Sequence, residues 1–239
     1  MAMSDARPSG FDWGVGSAIG TALSTVFGNF IPFVGLALLI GVPGLLLTLV
    51  GVPEIVKTIV DLVLGQVITI TLIYGTVQSL RGNKVGITEA LSQGIGRLPA
   101  AIGVALLAGL GIGLGMVLLI IPGLFLMTMW CVAIPAAVIE KAGVGASFSR
   151  SSSLTEGRRW RVFGAIVVSW LVTIGITMAI AFALVGASSG GSMSLVFVVM
   201  WVVGAVLQAY MSSLSGVLYY FLRRDKEGAD IETIASVFD

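Results

Sequence analysis

The sequence predicts an all-α integral membrane protein, on three observations. Hydrophobic residues make up 57% of the 239 positions and charged residues only 10%, against about 25% charged in soluble domains. The chain contains repeated apolar runs, each near the ~20 residues a helix needs to cross hydrocarbon. Lys and Arg fall almost entirely into alternate connections between those runs. The mean hydropathy of +1.07 makes lipid the solvent for most of this surface. Gly occupies 32 positions, roughly twice its usual ~7%, as suits helices packed closely in a bilayer.

The runs predict about six transmembrane helices: Phe30–Val50, Pro53–Leu80, Leu98–Ile120, Pro122–Ile139, Trp160–Leu184 and Ser194–Leu222. Pro43 and Pro135 stand inside spans, where neighbouring helices can satisfy the freed backbone groups. Arg7, then Arg81, Lys84 and Arg97, then Lys141, Arg150, Arg158, Arg159 and Arg161, then Arg223, Arg224 and Lys226 all fall on one side; Lys57 falls on the other. That bias places both termini in the cytoplasm. The opposite connections, at Gly51–Val52, Ile121–Pro122 and Val185–Met193, are short or uncharged. Met1–Gly10 lacks a basic stretch followed by a short apolar core, so no cleaved signal peptide is expected there.

Between spans the pattern turns amphipathic. Phe11, Val15, Ile19, Leu23, Val26, Phe27 and Phe30 recur at helical spacing among polar residues, which predicts a helix lying in the inner interface. Ile87, Ala90, Leu91, Ile95 and Leu98 repeat the pattern before the third span, and Val144, Phe148 and Leu154 do so more weakly before the fifth. The stretch ALSTVFGNFIPFVGLALL from Ala22 aligns without gaps on ALSQGIGRLPAAIGVALL from Ala90, pairing Gly35 with Gly103 and Leu38 with Leu106. The prediction is a three-fold repeat of an interfacial helix plus a helix pair, in a single domain over residues 1–239. Residues 1–29 form a cytoplasmic tail and interfacial helix, 30–222 the bundle and 223–239 a cytoplasmic tail.

Composition excludes several chemistries. The chain has no His and one Cys, Cys131. This removes disulfides within the chain and every His-based metal site or triad. A net charge of +1 leaves no basic face for nucleic acid. No catalytic, cofactor-binding or metal-ligating set is predicted.

The segment IIPGLFLMTMWCVAIPAAVIEKAGVGASFSRSSSLTEGRRWRVFGAIVVSWL carries Pro122-Gly123, Pro135, Glu140, Gly143, Ser149-Arg150-Ser151, Leu154-Thr155 and Gly157. With the tail LYYFLRRDKEGADIETIASVFD, it resembles the bacterial inner-membrane family that includes the membrane domain of glycerophosphoryl diester phosphodiesterase and its small stand-alone relatives. These stretches cover about a third of the chain. The resemblance implies a helical module in the bacterial inner (plasma) membrane. It implies no activity, because the phosphodiesterase chemistry belongs to a separate soluble domain that uses His and acidic residues.

Two groups are candidate sites, and two more are expected to pack helices together. Glu54, Lys57 and Asp61 share a helix face if the second span starts at Pro53, with Asp61 about 12 Å further in. They are either an intramembrane polar site for ion coupling or an interfacial salt-bridged turn. Arg150, Arg158, Arg159 and Arg161 surround a Ser-rich stretch from Ser147 to Ser153. They either contact anionic lipid headgroups or serve as positive-inside anchors. Gly109, Gly111, Gly113 and Gly115 predict close helix approach. Gln66, Gln78 and Gln208 predict hydrogen bonds between helices.

The function these features favour is a non-enzymatic membrane module organising lipids or partner membrane proteins. Its expected partners are membrane lipids, other membrane proteins or further copies of itself. A small transporter or lipid translocator is the alternative, and an intramembrane enzyme has least support.

Overall fold

A computed structural model describes residues 12–83, 86–187 and 193–227. Among these residues every regular element is α-helical. The helices run α1 (Val15–Gly28), α2 (Phe30–Val50), α3 (Glu54–Leu80), α4 (Ile87–Ile95), α5 (Leu98–Leu118), α6 (Ile120–Trp130), α7 (Ala133–Ile139), α8 (Val144–Thr155), α9 (Arg159–Ala187) and α10 (Met193–Glu227). Six stretches are long and apolar enough to cross a membrane, with α6 and α7 together forming the fourth. The order is a short helix followed by two crossings, three times over: α1, α4 and α8 each precede a pair. Phe11, Arg7, Lys84, residues 188–192 and residues 228–239 lie outside the described residues.

Asp12, just before α1, and Asp225 and Glu227, at the end of α10, all bond to arginines around α8. The first and last described residues therefore lie on one face, here the terminal face. The α2–α3 and α5–α6 turns mark the opposite, hairpin face.

α1 turns its small residues to the bundle and its bulky apolar residues outward. Its buried residues are Ala18, Ala22, Thr25 and Val26, whereas Leu23, Phe27 and Phe30 point outward. In lipid a bulky apolar side chain gains little by turning inward. Small residues gain more there, because they let backbones approach. α1 is wedged against α9 and α10, and Trp13 just before it is fully buried beside Phe221, ring centroids 5.8 Å apart.

The turn between the third and fourth crossings also shifts, from Ile121–Pro122 to Leu119, which is extended at φ −157°. Pro122 falls in the first turn of α6, where its missing N–H leaves no bond unmade. The last helix outruns its predicted end at Leu222. At 35 residues α10 is about 52 Å long, more than a ~30 Å hydrocarbon core requires, and its final turns project into the terminal face.

The core lies between α3 and α10. Leu72, Ile73, Val77, Leu214, Val217 and Leu218 are almost wholly buried there, and Ile70 packs on the other side of α3 against Ala101 and Val138. The pair is tied across by Thr76 Oγ1 donating to Ser213 Oγ at 3.0 Å and Gln208 Nε2 donating to the Gly65 carbonyl at 3.2 Å.

Candidate functional site

The basic residues of the terminal face form a network with acidic partners. Pro135 shapes its foundation. Proline has no N–H to give to the carbonyl four residues back, here that of Cys131, and the fourth crossing breaks between α6 and α7. Three groups at the break are claimed from other helices. Ser215 Oγ on α10 donates to the Cys131 carbonyl at 3.1 Å. Ser151 Oγ on α8 donates to the Met129 carbonyl at 2.7 Å and accepts from the Val132 N–H at 3.3 Å. An unpaired buried backbone group costs roughly 1–3 kcal/mol, so these two serines make the break tolerable. α8 is drawn in by its hydroxyl face: Ser147, Ser151 and Thr155, at helical spacing, are fully buried.

The short α7 delivers Glu140 to the terminal face, and Lys141 ends it in the left-handed region at φ 57°. Glu140 accepts from Arg150 Nε at 2.8 Å through each carboxylate oxygen, and from the Tyr219 hydroxyl at 2.8 Å. Tyr219 in turn accepts from Arg223 Nη1 at 3.2 Å. Glu227 joins Arg223, at 2.7 Å, to Arg150. α7, α8 and α10 are thus linked through alternating charge.

Two further clamps flank this network. Arg158 holds Asp225 with a two-pronged contact of 2.8 and 2.9 Å, and the Asp225 side chain is only 7% exposed. Arg161 Nη1 donates to the Trp13 carbonyl at 2.8 Å and to Asp12. The hydrogen bond from Arg161 and its positive charge hold the Asp12 carboxyl below the usual carboxylate range. The two-pronged contact with Asp225 raises Arg158 above its ordinary value. Burial pulls Arg150 down, but hydrogen bonds to Glu227 and Glu140 outweigh it and leave it raised. Gly157, at φ 77°, makes the turn that carries the chain from α8 to Arg158, a conformation costly for a side chain bearing Cβ.

Arg150, Arg158 and Arg161 are therefore paired to carboxylates of this chain. Arg159 differs. Its guanidinium carbon lies 4.8 Å from the centroid of the Phe125 ring, and its Nε is buried without a hydrogen-bond partner.

The other candidate trio is brought together only in part. Lys57 and Asp61 form an ion pair at 3.3 Å, while Glu54 is exposed and joins no ion pair among the described residues. The pair lines a crevice of about 620 Å³ between α2, α3 and α10, with Thr48, Trp201 and Gln208. The Asp61 carboxylate lies against Gly44 of α2, where an added β-carbon would require it to swing aside. Asn29 Nδ2 meets Ser79 Oγ at 3.3 Å at the terminal end of the α2–α3 pair. From Ser79 to Asp61 is about 27 Å of helix, close to one hydrocarbon thickness. Among the described residues no group of three or more His, Cys, Asp or Glu side chains is placed to share a metal ion.

The sequence reading missed Ser151, Ser215, Tyr219, Asp225 and Glu227. The signal for Ser151 and Ser215 is indirect: Pro135 announces an unpaired carbonyl, but not which hydroxyl answers it. For the acids it was the alternation Arg223, Asp225, Glu227, which continues the helical register of the last span.

Compared with known family models, curated proteins and solved structures, the chain matches none.

Proposed function

We propose that the protein is a non-enzymatic membrane module that organises lipids or partner membrane proteins. The observation that carries this reading is the apolar floor beneath the Lys57–Asp61 crevice. Towards the terminal face, α3 and α10 fill the next layers with Ile68, Leu72, Ile73, Leu214 and Leu218, each at most 4% exposed, and the buried hydroxyls among them are taken up within the protein, Thr76 by Ser213 and Thr71 by the Val67 carbonyl. A transport path needs polar groups or water at successive depths. Beyond the floor Arg150, Arg158 and Arg161 are locked into inter-helix clamps, which suits a rigid platform better than a rocking carrier. The positive-inside bias supports a cytoplasmic terminal face. The resemblance to the phosphodiesterase membrane domain supports a bacterial inner membrane and a helical module without chemistry of its own.

The crevice is also what a transport reading would rest on, so the test addresses it. The full chain is reconstituted into vesicles holding a pH-sensitive dye, alongside vesicles doped with a fluorescent phospholipid. The expected result is proton and lipid flux equal to that of empty vesicles. Flux above that baseline, removed by Asp61→Asn, would overturn the module in favour of a transporter.

A further inference from the structure

We propose that the cleft between α6 and α9 holds one anionic phospholipid, its phosphate on Arg159 and an acyl chain along α6. This rests on the module reading and names the lipid class and the place. The cleft measures about 550 Å³, within the usual range for ligand sites. One wall is a continuous stripe of α6: Ile121, Leu124, Phe125 and Thr128, spaced three, four and seven residues from the first. The other wall is Phe163 and Trp160 on α9, packed edge to face at 6.0 Å, with Arg159 at their head. Apart from Arg159 and the Thr128 hydroxyl, which donates to the Leu124 carbonyl at 2.8 Å, the lining side chains are apolar or aromatic.

Charge complementarity identifies the occupant. Of the four clustered arginines, Arg150, Arg158 and Arg161 have carboxylate partners among the described residues and Arg159 has none there. Arg159 has an aromatic face and an orphaned Nε. A ring face attracts a cation but does not neutralise it, and a charge left without a carboxylate beside apolar walls is costly. A phosphate accepts from guanidinium in two-pronged fashion. The start of α9 at Arg159 adds the positive end of a helix dipole. Trp160, 85% exposed, has the amphipathic ring found at headgroup depth. A net-negative lipid satisfies Arg159, whereas a zwitterionic one brings a second cation to the same spot. A soluble phosphate lacks the chain that would cover the apolar walls.

The test is native mass spectrometry of the purified full chain, equilibrated with equal amounts of phosphatidylglycerol and phosphatidylcholine. One phosphatidylglycerol should remain bound. Arg159→Gln should weaken it by about tenfold or more. Leu124→Trp, which blocks the chain slot and keeps Arg159, should displace it as well, and millimolar glycerol phosphate should not compete. Unchanged occupancy in Arg159→Gln overturns the site, as does a wild-type protein whose cleft is covered by a second copy, seen as a lipid-free dimer. Should a variant fail to fold, the wild type decides. Phosphatidylglycerol with brominated chains must quench tryptophan fluorescence more than brominated phosphatidylcholine, and Trp160→Phe must remove the excess. Equal quenching overturns the site. Failure here leaves the vesicle-flux result standing, and Asp61-dependent flux would leave lipid occupancy unaltered, so the two readings fail separately.

Discussion

At the scale of single residues, the terminal face is governed by which polar atoms lack a local partner. Pro135 frees the Cys131 carbonyl, and Ser215 takes it. Ser215→Ala should therefore destabilise the protein by roughly 1–3 kcal/mol. In a Pro135→Ala background the restored N–H can reach that carbonyl itself, so the same serine change should cost clearly less. Thermal unfolding of the four proteins in detergent closes this cycle, and strict additivity would refute the link between Pro135 and Ser215. The same logic explains what a linear reading can find. Pro135, Glu140 and the four arginines stand out by residue type. Ser151 does not, because a serine looks alike whether it faces water or fills a gap in a helix three-dimensionally adjacent to it. Arg150, Arg158 and Arg161 looked free for lipid because their partners, Glu140, Asp225, Glu227 and Asp12, are joined to them only by folding.

At the scale of elements, the glycines of α5 divide by face. A β-carbon on Gly123 of α6 would stand 2.6 Å from the Met116 backbone nitrogen, and one on Gly115 would stand 2.9 Å from the Gly123 Cα. Gly109 and Gly113 have nothing within 4 Å. Gly123→Ala should thus force the α5–α6 hairpin apart and cost about 1–3 kcal/mol, whereas Gly109→Ala should be neutral or slightly stabilising, since alanine is the better helix former. Unfolding midpoints of the two variants test this, and equal losses would contradict the assignment of faces. The crossings themselves were legible because twenty apolar residues have few alternatives in a bilayer. The inward face of each helix was not, as α1 shows. In a soluble helix Phe27 would point to the core; here Ala18 and Ala22 do, because lipid removes the penalty that makes an amphipathic pattern readable.

At the scale of the whole molecule, the repeated unit of short helix and helix pair is closed by clamps joining distant parts of the chain: Asp12 to Arg161, Arg158 to Asp225, and Glu140 through Arg150 to Glu227. The Asp12 clamp sets an acid limit. Its carboxyl is held below the usual range, so the contribution is fully present above the ordinary aspartate pKa and is lost as pH falls through the lower folded value. Spin-label accessibility at α1 should stay constant from neutral pH to about 4 and rise below it. Asp12→Asn should show the raised accessibility already at neutral pH and no acid step. An acid step that survives in this variant would place the sensor elsewhere. α10 carries a further consequence, one of timing. Ribosomal synthesis makes it after α1–α9, yet it supplies Ser215 to the broken fourth crossing, Asp225 to Arg158 and Glu227 to Arg150. A nascent chain that has inserted its first five crossings still shows the membrane an uncapped carbonyl and unmatched arginines. It acquires its native polarity only when α10 arrives, which makes that helix the keystone of assembly and the chain without it a natural target for intramembrane quality control.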